Sequence, residues 1–413
     1  MSRRRVSGGI FWGLVFLTIG SLFLIRNLGF AVPLWTMFYR YWPVLLIIWG
    51  LFKLVDYWSA EADGKARPLF SAGDITAIIF VILFGSLLTF TANMSPDLGK
   101  FFQAGNFDLW DLTGNNFSFT ERHQTDAPPD STIEIANRFG DVEVVPGDEN
   151  QITVDVHKTV RAADQAEADR LSSGFAYSIT NYGGKYRIGS PLDRRFKVDL
   201  TVHVPRRSIV SVENRNGKVS IRGLVGNQKV TNRFGAVEVS GITGTLTVED
   251  QNGGVNVQDV SDSVSIVNSF GPIAVANVRG DLKISGRNNS IDLDHIEKDL
   301  DVESAFQNVD VRDPRGAVKI KNRNGEITIR LVQKPMKDVS VSSEFGNVSV
   351  EIPPDSSFVA DARSRFGNIH SDFTELHNIS ENNSARLDGQ VGSGGPTIRV
   401  ENRNGEIRFR RKG

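Results

Sequence analysis

Asn214-Arg215-Asn216-Gly217-Lys218-Val219-Ser220-Ile221 is followed, eighteen residues on, by Asn232-Arg233-Phe234-Gly235-Ala236-Val237-Glu238-Val239. The turn recurs through Asn322-Arg323-Asn324-Gly325, with marker positions 217, 235, 253, 271, 289, 307 and 325 all eighteen apart. Apolar residues hold fixed offsets behind each marker. Val219 and Ile221, Val237 and Val239, and Val255 and Val257 sit at plus two and plus four, and Leu224, Ile242 and Val260 at plus seven. A second alternating pair follows in each unit, as in Leu246/Val248 and Val264/Ile266. Period-two alternation puts one face of a strand inward and the other outward. Two strands and two turns in a unit of fixed length predict a stacked solenoid, in which each unit contacts only its neighbours.

Five or so buried side chains per unit contribute roughly 1.5–3 kcal/mol each. Ordering the unit costs roughly 1.5 kcal/mol per residue. A single unit therefore cannot stand alone. The expected fold class is all-β: a parallel β-solenoid of 18-residue two-strand repeats, preceded by N-terminal transmembrane helices. The residue before the marker alternates Asn216, Phe234, Asn252, Phe270, Asn288, Phe306, Asn324. That pattern leaves a 36-residue coil open, although every other offset favours eighteen. Asn-Gly turns at 216–217, 252–253, 324–325 and 404–405 also leave open a row of hairpins.

The repeat continues less regularly at Asn137-Arg138-Phe139-Gly140 upstream, and at Glu344-Phe345-Gly346, Arg365-Phe366-Gly367 and Asn402-Arg403-Asn404-Gly405 downstream. Between residues 147 and 205 lies an insertion with a helical candidate at Ala162–Leu171 and strands around 176–180, 185–188 and 197–204. An exposed solenoid end needs a cap, and this insertion is the expected N-terminal one. The expected division is a membrane region over 1–92, a juxtamembrane linker over 93–130, and the repeat domain over 131–413.

The formal net charge of −1 gives no global bias toward nucleic acid, which is not expected as a partner. With no cysteine, disulfide scaffolds, thiolate metal sites and cysteine nucleophiles are excluded. Apolar runs at 8–25, 44–55 and 75–90 predict three membrane spans, with Trp12, Trp35, Trp42, Trp49, Tyr57 and Trp58 as interfacial aromatics. Arg3, Arg4 and Arg5 place the N-terminus in the cytoplasm by the positive-inside rule, which leaves the repeat domain outside a multi-pass cell-membrane protein. Arg26 and Arg40, in the short outer loop, work against that asymmetry.

Residues 8–58, with Gly8-Gly9-Ile10-Phe11-Trp12-Gly13-Leu14, Ile25-Arg26-Asn27-Leu28-Gly29 and Tyr41-Trp42-Pro43-Val44, resemble the LiaI/LiaF-type transmembrane hairpin. The Asn-x-x-Gly-x-Val-x-Val units from about 130 onward are similar to the "putative-adhesin" β-solenoid, or Toastrack. The third apolar run and the linker lie outside both resemblances. Together they imply a bacterial envelope protein in sensing, scaffolding or adhesion, and bring no catalytic motif.

The candidate binding residues are the arginines two before each marker: Arg138, Arg215, Arg233, Arg287, Arg323, Arg365 and Arg403. Stacked at about 4.8 Å, they form one edge able to grip phosphate or carboxylate, interrupted by Gln251, Ser269, Ala305 and Glu344. A solvated turn, with arginine stems covering the coil edge, is the plainer reading. Asp292 and Asp310 fall on equivalent outward positions, and such pairs serve Ca²⁺ or acid–base chemistry. Without a cleft or a base partner, solvated surface is preferred for them. The six histidines show no ligand spacing, and no metal or cofactor is expected. Expected partners are the lipid bilayer and an envelope polymer or membrane protein. The rival readings are a polysaccharide-acting enzyme on a solenoid face and a stalk that oligomerises end to end. Outward residues such as Ser220, Asn256, Ala274, Thr328 and Ser349 are small or polar, which argues against the enzyme.

Overall fold

The computed structural model describes residues 115–412, apart from 190–192, 194 and 382. The three apolar runs read as membrane spans lie outside the described residues. The N-terminal part comprises β1 (Asn115–Asp126), β2 (Ser131–Phe139), β3 (Val142–Pro146), β4 (Gln151–Ala162), helix α1 (Gln165–Ser173), β5 (Ser178–Tyr182), β6 (Lys185–Gly189) and β7 (Phe196–Val204). The repeats follow as β8 (Ser208–Asn216), β9 (Val219–Arg222), β10 (Gln228–Phe234), β11 (Val237–Ile242), β12 (Leu246–Asn252), β13 (Val255–Val260), β14 (Val264–Phe270) and β15 (Ile273–Val278). They continue as β16 (Leu282–Asn288), β17 (Ile291–Ile296), β18 (Leu300–Phe306), β19 (Val309–Pro314), β20 (Val318–Asn324) and β21 (Ile327–Arg330). The chain ends in β22 (Val339–Phe345), β23 (Val348–Ile352), β24 (Phe358–Phe366), β25 (Ile369–Ser371), β26 (His377–Glu381), β27 (Ser384–Val391), β28 (Thr397–Asn404) and β29 (Ile407–Arg411).

From β8 to β23 the chain alternates between two sheets, even-numbered strands in one and odd-numbered strands in the other. Neighbours are parallel, and up to β21 the register advances by one eighteen-residue unit: Gln228 lies opposite Leu246 and Val237 opposite Val255, whereas the last step is longer, with Val318 opposite Val339 and Ile327 opposite Val348. The fold is thus all-β and solenoid-like, with one coil per step, eighteen residues long through the regular repeats. Parallel pairing is incompatible with a row of hairpins. The 36-residue alternative fails because Asn and Phe markers share a single ladder, Asn216–Phe234–Asn252–Phe270.

The core fills the space between the sheets with aliphatic stacks. Val230, Val248, Ile266, Ile284, Val302 and Ile320 line one sheet, and Val239, Val257, Val275, Leu293, Val311 and Ile329 the other, all buried. The plus-seven residues Leu224, Ile242, Val260, Val278 and Ile296 are buried too. Each follows a residue in the left-handed region: Gly223, Gly241, Asp259, Asn277 and His295, with Asp313 next in the row. That kink turns the following side chain back into the core. It accepts Asp, Asn and His as well as Gly, because short polar side chains tolerate this conformation better than most.

Both ends depart from chain order. The β2/β3 coil is flanked by β6 and β8 in one sheet and by β7 and β9 in the other. The C-terminal coil β28/β29 inserts between β22/β23 and β24/β25. Residues 115–126, read as part of a linker, form β1, which pairs antiparallel with β4 along its whole length. Strand β4 is absent from the sequence reading of the insertion. Helix α1 begins after Asp164, whose carboxylate accepts the Glu167 backbone N–H at 2.9 Å. The expected helix start at Ala162 is instead the end of β4. Lys158 of β4 is fully buried, with its ammonium bound to the Glu121 carboxylate and to the carbonyls of Ser172 at 3.3 Å and Phe175 at 2.9 Å.

Candidate functional site

The marker turns build one long edge on the even-numbered sheet. Most carry glycine, Asn289 and Gln307 being the exceptions, and for two reasons. The backbone is left-handed, with φ of 123° at Gly235 and 111° at Gly271, and successive coils touch there. A Cβ on Gly271 would lie 2.2 Å from the Gly253 carbonyl oxygen. Three residues earlier, a buried amide ties the turns together. Asn232 Nδ2 donates to the carbonyls of Gly217 at 3.2 Å and Gly235 at 2.9 Å, and Asn268 Nδ2 donates to Gly253 at 2.9 Å. Asn322 and Asn402 repeat the contact to Gln307 and Gly346.

Asp250 occupies this amide ladder without being able to donate as a carboxylate. It is 4% exposed, and no side chain among the described residues hydrogen-bonds its carboxyl oxygens. Burial, opposed only by the Gln251 backbone N–H, pushes its pKa up to about 6. The signal was present in the sequence as an Asp at an Asn position, but only the packing shows that it is buried.

On this frame the residue before each marker forms the exposed ladder. In spatial order it reads Phe139, Asn216, Phe234, Asn252, Phe270, Asn288, Phe306, Asn324, Phe345, Asn404, Phe366. Beyond Phe139 the phenylalanines remain 40–49% exposed. Among the described residues, the side-chain amides of Asn252, Asn288, Asn324 and Asn404 make no hydrogen bond to the protein.

The predicted arginines lie one residue before this ladder. Arg138, Arg215 and Arg233 stand on the adjacent strands β2, β8 and β10, and Arg403 and Arg365 on the adjacent strands β28 and β24. Arg287 and Arg323 stand singly on β16 and β20. Arg323 approaches Glu344 at 4.0 Å, whereas Arg215, Arg233, Arg287, Arg365 and Arg403 join none of the ion pairs among the described residues. Arg138 lies 5.8 Å from the Phe139 ring centre. Where β24, β27 and β28 meet, Arg363 and Arg386 join Arg365 and Arg403 around an open groove that also holds Glu344 and Glu401.

On the opposite sheet, Asp292 and Asp310 are cross-strand partners. The Arg330 guanidinium binds Asp310 and lies 3.6 Å from Glu351. That cation offsets part of the acidic charge on this face. Ser220 and Ser349, expected on the open outer face, are buried. No cluster of three or more metal-ligating side chains occurs among the described residues.

Residues 131–410 match the family model described as Toastrack DUF4097. The chain belongs to the Toastrack DUF4097 family. Residues 11–107 match the LiaF transmembrane domain. That match runs past the expected hairpin of residues 8–58 and covers the third apolar run as well, so the resemblance extends further than the hairpin. Among the described residues no helix is long and apolar enough to cross a membrane. No curated protein matches this Toastrack chain. Solved structures similar to it include one titled a putative cell adhesion protein from Clostridium sporogenes, at 8% identity over 71% of this chain and 100% of that one, with a TM-score of 0.19. A putative adhesin from Parabacteroides distasonis shows 12% identity over 70% and 97%, with a TM-score of 0.30. A putative lipid binding protein from the same organism shows 11% over 70% and 96%, with a TM-score of 0.35. At such scores these likenesses carry no argument about function.

Proposed function

We propose that this Toastrack protein is a non-enzymatic, multi-pass membrane protein of the bacterial envelope, whose solenoid projects outside the cell membrane and works by binding. The membrane region, with three spans over 1–92, anchors it, 93–130 leads into the repeat domain of 131–413, and 147–205 caps the N-terminal end. One observation carries the reading: a single edge presents a continuous Phe/Asn ladder, its phenylalanines from Phe234 onward exposed, beside a row of arginines of which Arg215, Arg233, Arg287, Arg365 and Arg403 join no ion pair among the described residues. Such an edge offers a long contact surface. Arg138, Arg215, Arg233, Arg287, Arg323, Arg365 and Arg403 supply its charge. The LiaF transmembrane match supports the membrane setting. Asp310 of the Asp292/Asp310 pair is already engaged by Arg330, which does not support the polysaccharide-enzyme alternative.

The test is protease accessibility of a tag placed after Gly413, in intact cells or spheroplasts. Digestion from outside supports the exterior solenoid. Protection until the membrane is opened places the domain in the cytoplasm and overturns the reading.

A further inference from the structure

The exposed ladder has a period, and the period specifies a ligand. Phe234, Phe270, Phe306, Phe345 and Phe366 occur on every second strand of the sheet. At about 4.8 Å between strands, they stand about 9.6 Å apart, and the run from Phe139 to Phe366 spans roughly 48 Å. Between each pair lies one asparagine amide, both donor and acceptor. Arginines flank the ladder on one side.

Resting on the binding role proposed above, we propose that this edge holds an extended β-1,4-linked glycan that carries acidic groups. Successive sugars in such a chain are turned over relative to one another, so the same ring face returns every second sugar. That repeat is about one disaccharide long, close to the Phe spacing. Each Phe ring offers an apolar platform to one sugar face, and each intervening Asn meets the hydroxyl or acetamido groups of the sugar between. Arg233, Arg287, Arg323, Arg365 and Arg403 are placed to pair with carboxylates on the chain. A peptide in β-strand conformation returns the same face roughly every 6.6–6.8 Å and falls out of step with the ladder.

The full chain, purified in detergent, is titrated with carboxymethylcellulose, neutral chitohexaose, dextran sulfate and phosphatidylglycerol vesicles. Phe270→Asn with Phe306→Asn puts into two coils the residue that their neighbours already carry. The expected result is binding of both β-1,4-linked probes, weakened at least tenfold by the double substitution at unchanged melting temperature. Arg287→Ala with Arg323→Ala is expected to weaken carboxymethylcellulose alone. Phe270→Trp keeps the platform should the asparagine variants misfold, and its fluorescence is expected to shift on adding chitohexaose. Unchanged affinity in the Phe variants overturns the proposal. So does dextran sulfate binding as tightly as carboxymethylcellulose, because charge alone then suffices. Binding of vesicles but no glycan also overturns it, while leaving the broader binding function in place.

Discussion

Phe345 on β22 lies directly opposite Asn404 on β28, although β23 to β27 intervene in the chain. On its other side Asn404 faces Phe366. Phe345 and Phe366 are successive markers in sequence, and the late-arriving coil keeps them apart. The Phe/Asn alternation therefore follows spatial order, which makes it a packing rule between adjacent coils. Two phenylalanines at one inter-strand spacing would crowd, whereas an asparagine between them leaves room for both rings.

Asn404→Phe would place three phenylalanines on consecutive strands. At this exposed position the expected cost is about 1 kcal/mol, less than the penalty of overpacking a closed core, measured by thermal or denaturant unfolding. Asn404→Ser, which adds no bulk, should cost less than about 1 kcal/mol. Equal losses in the two variants would refute the crowding argument.

Gly271→Ala would drive a Cβ to 2.2 Å from the Gly253 carbonyl oxygen in a left-handed backbone. The coils must separate there, and a loss of about 2–4 kcal/mol is expected. Gly254→Ala, where a Cβ meets Pro272 Cγ at 3.4 Å and the backbone is not left-handed, should be close to neutral. Urea midpoints of the two variants provide the comparison.

Asp250→Asn should stabilise the protein at neutral pH. The raised pKa of about 6 means that the folded state binds the proton more tightly than the unfolded chain. Its contribution to stability is complete below the unfolded value near 3.8 and is lost as pH rises through 6. Asparagine is neutral throughout and donates to the turn carbonyls as Asn232 does. The variant should therefore exceed the parent by on the order of 2–3 kcal/mol above pH 7, with the gap closing toward pH 4. Melting temperatures of both proteins across that range are the check.

Removing the Glu121 carboxylate should strand Lys158, whose side chain is fully buried. Burial raises the Glu121 pKa, but the hydrogen bond and charge of Lys158, aided by His123, outweigh it and hold the pKa below the ordinary value. This contribution is present above the unfolded pKa and is lost as pH falls, opposite in sign to that of Asp250. Glu121→Ala is expected to cost about 3–5 kcal/mol. Lys158→Met removes the buried charge and should cost less. Hydrogen exchange of the β1 amides would locate the loss.

The eighteen-residue interval was legible because each coil repeats the same inward offsets, and a residue such as Val239 must lie over Val257 for both to be buried. The positions of the arginines, one residue before the ladder, were legible for the same reason; what they bind was not. Strand β1 was not, because Phe117 and Phe119 face a core that exists only once β4 has folded beside them. The burial of Asp250 was equally hidden, since alternation marks it as one more polar turn residue.

The sequence by itself determined the coil length, the inward faces and the place of each turn, because these follow from local periodicity and from glycine's freedom at positive φ. Only the tertiary structure decided which coils are neighbours. At both ends a coil inserts out of chain order, and the energy that places it comes from contacts across the stack. No local pattern records those contacts.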